Sequence, residues 1–252
     1  MELRWWRYDT PVPEGFTELL DAAERARAAR FRFPVHTARF VWGRAMTKRI
    51  VSAATGVPAP DVRLVRAPCP DCGDTAHGRP EIADGAVHIS LSHSEGYSAL
   101  LLSRRHPVGL DIERVRPMSV DTLAPVTLCA DERAWVLDEP PGDRRSLAYL
   151  RCWTRKEAVL KAVGTGVVGD LTSMEVRPWE RVARVPHGSS GGICDWRVSN
   201  VRPLPDLMAA VARPAEASAP VDLRGAGTGS AAPSVHPAAK EPRRTEKFSQ
   251  LR

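Results

Sequence analysis

The sequence predicts an α+β protein. Three observations point there: stretches with helical periodicity near residues 16–31, 37–54 and 146–163, runs of alternating apolar and polar residues at 87–103 and 108–115, and no regular strand–helix–strand alternation. With 252 residues, 43% of them hydrophobic, the chain is long enough to bury one large core or two small ones that share an interface.

In chain order, Leu19, Leu20, Ala23, Ala26 and Ala29 sit among charges and predict a helix from about Phe16 to Phe31. A second helix is expected from about Thr37 to Ala54, with Val41, Ala45 and Ile50 on its buried face and Gly56 and Pro58 as the stop. Val87 to His93 alternates, Glu95-Gly96 makes a turn, and Tyr97 to Ser103 is apolar, which together read as a β-hairpin. Val108, Leu110 and Ile112 alternate with Gly109, Asp111 and Glu113 in a further strand. A helix from about Ser146 to Val163 ends at Gly164-Thr165-Gly166. Strand-like pieces return at Ser173–Val176, Asp195–Val201 and Leu207–Val211. From Pro214 the composition shifts to Ala, Pro, Gly, Ser and Thr, so a disordered tail is expected over 214–252.

The formal net charge is +6, of which the tail contributes +2, so the globular part is itself basic and favours anionic partners. Met1-Glu2-Leu3-Arg4-Trp5-Trp6 lacks the apolar stretch of a signal peptide, and no run approaches the roughly 18 to 20 apolar residues of a membrane helix. The expectation is a cytoplasmic protein with no membrane partner. Its five cysteines, an odd number, fit reduced thiols better than a disulfide framework.

Asp111 and Glu113, two apart on a strand, put both carboxylates on one face, opposite Val108, Leu110 and Ile112. Two such acids can hold a hard divalent ion between them, or they can simply be the solvated face of a surface strand; spacing alone leaves both open. Trp153, Glu157 and Lys161 follow at i, i+4 and i+8 along one helix stripe. Glu157 could add a third oxygen ligand and Lys161 a cation aimed at a phosphate, or the two could form an ordinary surface ion pair.

Gly109-Leu110-Asp111-Ile112-Glu113, followed about 40 residues later by Trp153 to Lys161 and Gly164-Thr165-Gly166, resembles the paired signature of 4′-phosphopantetheinyl transferases, G-x-D-x-E and W-x-x-K-E-A-x-x-K-x-x-G-x-G. Gly78-Arg79-Pro80 and Ile89-Ser90-Leu91-Ser92-His93-Ser94 are similar to two upstream motifs of the same family, so the likeness spans about residues 16 to 211. The length resembles the larger, pseudo-dimeric type that serves nonribosomal peptide and polyketide synthases in secondary metabolism. That implies two similar α+β halves related by pseudo-two-fold symmetry, residues 1–104 and 105–213, the second carrying the metal site, and a monomer.

On matching positions, the resemblance implies that Asp111, Glu113 and Glu157 hold Mg2+, with Mn2+ as the alternative, against the diphosphate of coenzyme A, the substrate. Lys161 would neutralise that diphosphate and help 3′,5′-ADP leave, Asp111 would face the coenzyme as well, and Glu157 is the candidate base for the serine of an apo acyl or peptidyl carrier protein. Arg79, Ser92 and His93 would meet the nucleotide end and its phosphates, with Arg39 and Arg27 near the 3′-phosphate. Val167-Val168, where the family often has one leucine, and Leu110, where Ile or Val is common, are small departures.

Other patterns carry less. Gly164 to Gly169 spells G-x-G-x-x-G but follows a helix, outside any dinucleotide-binding context. Cys69-Pro70-Asp71-Cys72 with His77 is half of a zinc knuckle with no second C-x-x-C, or a tight loop of reduced thiols. Trp5-Trp6 reads as packing. A basic nucleic-acid module would show a basic stripe with exposed aromatics, which the sequence lacks, so no nucleic-acid partner is expected. A homologue that only binds carrier protein would have lost Asp111, Glu113, Glu157 or Lys161, all of which are present.

Overall fold

Trp5 and Trp6 are adjacent in the chain and are buried in different cores, because a strand sends successive side chains to opposite faces. They lie on β1 (Glu2–Arg7) of the computed structural model, which describes residues 1–166, 170–218 and 220–225. Phe16 to Phe31 is not one helix. A short 3-10 turn at Thr17–Leu19 is followed by an extended Leu20, and Asp21 then starts α1 (Ala22–Ala28) afresh with a capping box. The Asp21 carboxylate accepts from the Glu24 amide at 2.8 Å, and the Glu24 carboxylate accepts from the Asp21 amide at 3.0 Å. The periodicity ran through this break because Leu19 and Leu20 pack on the same core as the helix.

Helix α2 (Pro34–Thr55) starts three residues before the expected Thr37, with Pro34 in the first turn where its missing N–H costs nothing. Val41 and Ala45 are buried as expected, Ile50 only partly, and Trp42 completes the face. Lys48 is also fully buried, with its ammonium 3.0 Å from Glu24 of α1. Strands β2 (Leu64–Arg66) and β3 (Pro80–Ile82) form a small hairpin of their own. The expected hairpin is β4 (His88–Ser94) with β5 (Tyr97–Ser103), paired from His88↔Ser103 to Ser94↔Tyr97.

Strand β6 (Gly109–Arg114) opens a second sheet. Helices α3 (Val120–Thr127) and α4 (Ala130–Leu137), which the periodicity did not reveal, precede α5 (Asp143–Val163). Three antiparallel strands follow, β7 (Val182–Ser189), β8 (Gly192–Leu204) and β9 (Leu207–Pro214), giving the sheet order β6-β9-β8-β7. The first of them was not anticipated, and the other two run longer than Asp195–Val201 and Leu207–Val211. Ser173–Val176 is no strand: Leu171–Ser173 is a 3-10 turn, and the Val176 amide donates at 2.6 Å to buried Glu132 instead of to a sheet partner.

The chain then returns to the first sheet. Strand β10 (Asp222–Gly225) pairs in parallel with β1, so that sheet reads β10-β1-β5-β4, and the folded part extends past the expected boundary at residue 213. The rest of the expected disordered tail, 226–252, lies outside the described residues. Each sheet lays one face on its long helix, α2 or α5, while Leu3, Trp5, Ala99 and Leu101 of the first meet Leu110, Ile112, Ala209 and Val211 of the second in a shared apolar cluster. At roughly 1.5–3 kcal/mol for each fully buried large apolar side chain, that cluster is the main adhesive between the sheets.

Under α5 the second sheet buries two cations. Lys156 pairs with Glu132 at 2.8 Å, both fully buried, and Arg155 donates to the carbonyls of Val176, Arg177 and Glu180 at 2.9, 2.6 and 2.7 Å and to Asn200 Oδ1. Desolvation draws the Arg155 guanidinium down to about 9. These two residues lie inside the Trp153–Lys161 motif and are structural, holding segment 171–181 against the helix.

Candidate active site

The two sheets meet edge to edge along β4 and β6, and the contact is made by side chains. The hydroxyls of Ser90, Ser92 and Ser94 accept from the backbone amides of Leu110, Ile112 and Arg114 at 2.9, 3.2 and 3.1 Å. Period-two alternation on β4 aims all three serines at β6. Ser92 and Ser94 then donate onward, to Asp111 Oδ1 at 2.8 Å and Glu113 Oε2 at 2.7 Å. One strand therefore fixes the two carboxylates of the other.

Asp111 and Glu113 point away from the shared apolar cluster, toward α5, as the alternation required. The helix comes very close there: a Cβ on Gly109 would sit 1.8 Å from the Ala158 carbonyl oxygen and 2.7 Å from the Ala162 nitrogen. Only glycine fits. From Cys152 to Ala162 every residue is buried except Trp153, Glu157 and Lys161, so the i, i+4, i+8 stripe is the one face of α5 left open, and it overlooks the acids.

Lys161 Nζ lies 2.7 Å from Asp111 Oδ1 and 3.1 Å from Ser92 Oγ. The other Asp111 oxygen, Oδ2, is buried with no hydrogen-bond partner. Burial pushes the Asp111 carboxyl up, against the pull of Lys161, and burial likewise raises Glu113, against the Ser94 hydroxyl. Glu157 is pushed up to about 7, first by desolvation and then by the negative charge of Asp111. The three carboxylates share one electrostatic neighbourhood, although their oxygens do not all lie within 4.8 Å of one another. An all-oxygen donor set, one of whose buried oxygens is unspent, with a third carboxyl strained by like charge, fits a hard divalent cation.

Beside this cluster opens a cleft of about 690 Å³ between α2, the β2–β3 hairpin and β4. Arg27, Arg39, Arg44, Arg66, Arg79 and Lys161 line it, with His77 and His93, and among the described residues no carboxylate does. The guanidinium groups of Arg27 and Arg44 both lie over the Phe40 ring, each 5.4 Å from its centroid, so one ring anchors two cations on this wall. Arg79 packs over Gly164, whose left-handed φ of +95° ends α5, and donates to Glu81 at 2.8 Å. The His93 ring reaches solvent, but desolvation by the cleft walls, then Arg39 and Lys161, lower it to about 4, so it faces the cleft as a neutral imidazole near pH 7.

The structure places the expected residues in two adjoining groups. Asp111, Glu113, Glu157 and Lys161 form the carboxylate cluster; Arg27, Arg39, Arg79, Ser92 and His93 line the cleft. Ser92 also belongs to the seam, since its hydroxyl bonds Asp111, Lys161 and Ile112. Sequence reasoning missed Arg44, Arg66, Ser90 and Ser94. Arg44 had a readable signal, one turn beyond Phe40 on the same helix, and so did the Ser-x-Ser-x-Ser alternation of β4; Arg66 had none. The G-x-G-x-x-G pattern begins as the cap of α5, and its residues 167–169 lie outside the described residues.

A cationic cleft of this size beside a carboxylate cluster suits an anionic, phosphate-bearing ligand. A family model described as the 4′-phosphopantetheinyl transferase superfamily matches residues 107–211. The chain is 30% identical over 175 residues to the 4′-phosphopantetheinyl transferase HetI of Nostoc sp., covering 66% of this chain and 70% of that protein. It is 27% identical over 155 residues to the 4′-phosphopantetheinyl transferase psf-1 of Bacillus pumilus, with 61% and 62% covered. It is 38% identical over 99 residues to AcpT of Salmonella typhi, with 38% and 51% covered. The chain belongs to the 4′-phosphopantetheinyl transferase superfamily.

Proposed function

We propose that the protein transfers the 4′-phosphopantetheine group of coenzyme A to a serine hydroxyl of an apo carrier protein, leaving 3′,5′-ADP, in a Mg2+-dependent reaction. The observation that carries this reading is the cationic cleft ending at Asp111, Glu113, Glu157 and Lys161. The cleft arginines take the 3′-phosphate and the nucleotide phosphates, and Arg39, Arg44 and Arg79 suit them by their planar forks. Lys161 sits at the far end, where the diphosphate would bring its charge.

Asp111, Glu113 and Glu157 are the residues that would hold the divalent ion, Mg2+ or Mn2+, which would supply charge neutralisation on the diphosphate. Glu157 takes the proton of the attacking serine as general base. The serine oxygen forms a bond to the phosphorus that carries pantetheine. The bond from that phosphorus to the bridging oxygen breaks, and the electron pair leaves on 3′,5′-ADP beside Lys161. His93, neutral, donates a hydrogen bond to a phosphate without adding charge. We take the halves as residues 1–104 and 105–213, joined at the seam, and the protein as a cytoplasmic monomer; among the described residues no helix is long and apolar enough to cross a membrane.

Intact-mass spectrometry of apo peptidyl and acyl carrier proteins, incubated with the protein, coenzyme A and Mg2+, tests the reading. A gain of one phosphopantetheine, absent with chelator and with Glu157→Ala, is expected. No gain on any carrier sinks it.

A further inference from the structure

Between β2 and β3 the chain makes a loop, residues 67–79, with no helix or strand of its own. Every residue from Pro70 to His77 is exposed, whereas Cys69 at its base is buried. A loop with so little apolar burial cannot offset the entropy of ordering itself. Yet three of its side chains converge: one ligand atom each of Cys69, Cys72 and His77 lie within 4.8 Å of one another, and Cys72 Sγ is 3.2 Å from His77 Nε2.

The backbone at the first cysteine is already closed into a tight turn. Gly73 N donates to the Cys69 carbonyl at 2.8 Å, and Cys69 N donates to the Asp74 carbonyl at 2.9 Å. The five cysteines are free thiols, so no disulfide does this work.

We propose that Cys69, Cys72 and His77 bind a zinc ion, at a site separate from the carboxylate cluster. Tetrahedral zinc with its usual bond lengths sets a sulfur-to-nitrogen separation of roughly 3.6 Å and a sulfur-to-sulfur separation of roughly 3.8 Å, so the observed cluster needs only small adjustments. Two soft thiolates and an imidazole select zinc, while the all-oxygen cluster at Asp111 suits magnesium; the two metals do not compete. Cys72 and His77 are exposed, so the fourth position faces water.

The placement gives the ion a purpose. Ser190, in the turn between β7 and β8, donates its amide to Asp71 Oδ1 and its hydroxyl to the Pro70 carbonyl, both at 2.7 Å, so the loop bridges to the second sheet. On its other side His77, Gly78 and Arg79 line the cleft, and Arg66 Nη1 donates to the Gly78 carbonyl at 2.7 Å. A zinc-stapled loop holds Arg66 and Arg79 at the cleft wall.

The test is metal analysis of the full chain purified without chelator, by plasma mass spectrometry, with cobalt substitution followed by absorption. About one zinc per chain is expected, together with a sulfur-to-cobalt charge-transfer band. Both should be lost in Cys72→Ser and His77→Ala, whose side chains are exposed and do not support the core, and kept in Cys194→Ser, an exposed cysteine on β8. Wild type with neither zinc nor the cobalt band, a Cys69–Cys72 disulfide in unreduced protein, or zinc retained in Cys72→Ser would each overturn the site. Metal content is read without the transfer assay, so zinc with no transfer would leave this site standing and defeat the proposed function, and the reverse result would do the opposite.

Discussion

Substituting Gly109 by alanine probes the close approach of α5 to β6. The new Cβ would lie 1.8 Å from the Ala158 carbonyl oxygen, which is rigid helix backbone, and Cβ contacts under 3.0 Å essentially do not occur. Raising 1.8 Å to 3.0 Å requires α5 to withdraw from β6 by about 1.2 Å, an overpacking strain of roughly 1–3 kcal/mol. At this chain length about 2 kcal/mol lowers Tm by roughly 4–8 °C. The withdrawal falls on the proposed site, because Glu157 adjoins Ala158 and Asp111 is two residues from Gly109. A misplacement of about 1 Å costs on the order of 100-fold in rate. The cleft arginines on α2 do not move with α5, so kcat should fall far more than KM for coenzyme A rises. Calorimetry with a time-resolved intact-mass assay reads both quantities. Gly43→Ala is the control for Tm alone, since Gly43 lines the cleft: it lies mid-helix with nothing within 4 Å of the added Cβ, and is expected to stabilise by about 0.5–1 kcal/mol. If Gly109→Ala keeps Tm within about a degree and kcat within about twofold of wild type, the close-approach argument is wrong.

Other expectations follow from the same geometry. Glu157 is raised from 4.5 to about 7, so between those values the folded protein holds a proton that the unfolded chain has released; in chelator, stability contributed by this group is present below about 4.5 and lost as pH rises toward about 7. His93, lowered to about 4, acts in the opposite sense, so the readout is the difference in Tm between wild type and Glu157→Gln, which should grow across that window and vanish below it. Arg44→Ala should raise KM for coenzyme A about tenfold with little change in kcat, since charge-assisted hydrogen bonds to phosphate are worth roughly 1.5–3 kcal/mol; an unchanged KM would remove Arg44 from the cleft's binding groups. Arg155→Met leaves the carbonyls of Val176, Arg177 and Glu180 without their donor in the interior, and at about 1–3 kcal/mol for an unsatisfied buried group should cost roughly 3 kcal/mol or more in urea unfolding. A loss under about 1 kcal/mol would mean that segment 171–181 is held by other contacts.

What the chain declares locally was legible in the sequence. The hairpin of β4 and β5, the β6 strand and α5 announce themselves by period, and the same periods place Asp111 and Glu113 on one face and Glu157 and Lys161 on one stripe, since side-chain direction within an element depends only on spacing. Elements whose signal comes from their partners were not legible. Short helices α3 and α4 and strand β7 are held by packing, and Ser173–Val176 looked like a strand because the apolar residues it buries against Glu132 and α5 mimic alternation. The break at Leu20–Asp21 hid behind continuous hydrophobicity. Only the tertiary structure brought the first sheet's serines to the second sheet's acids, put Arg44 and Arg66 on the wall of one cleft, and returned residues 222–225 to β1. Those outcomes are decided by contacts between residues distant in the chain, such as Ser92 and Asp111 or Gly109 and Ala158, and no local periodicity records which distant residue will arrive.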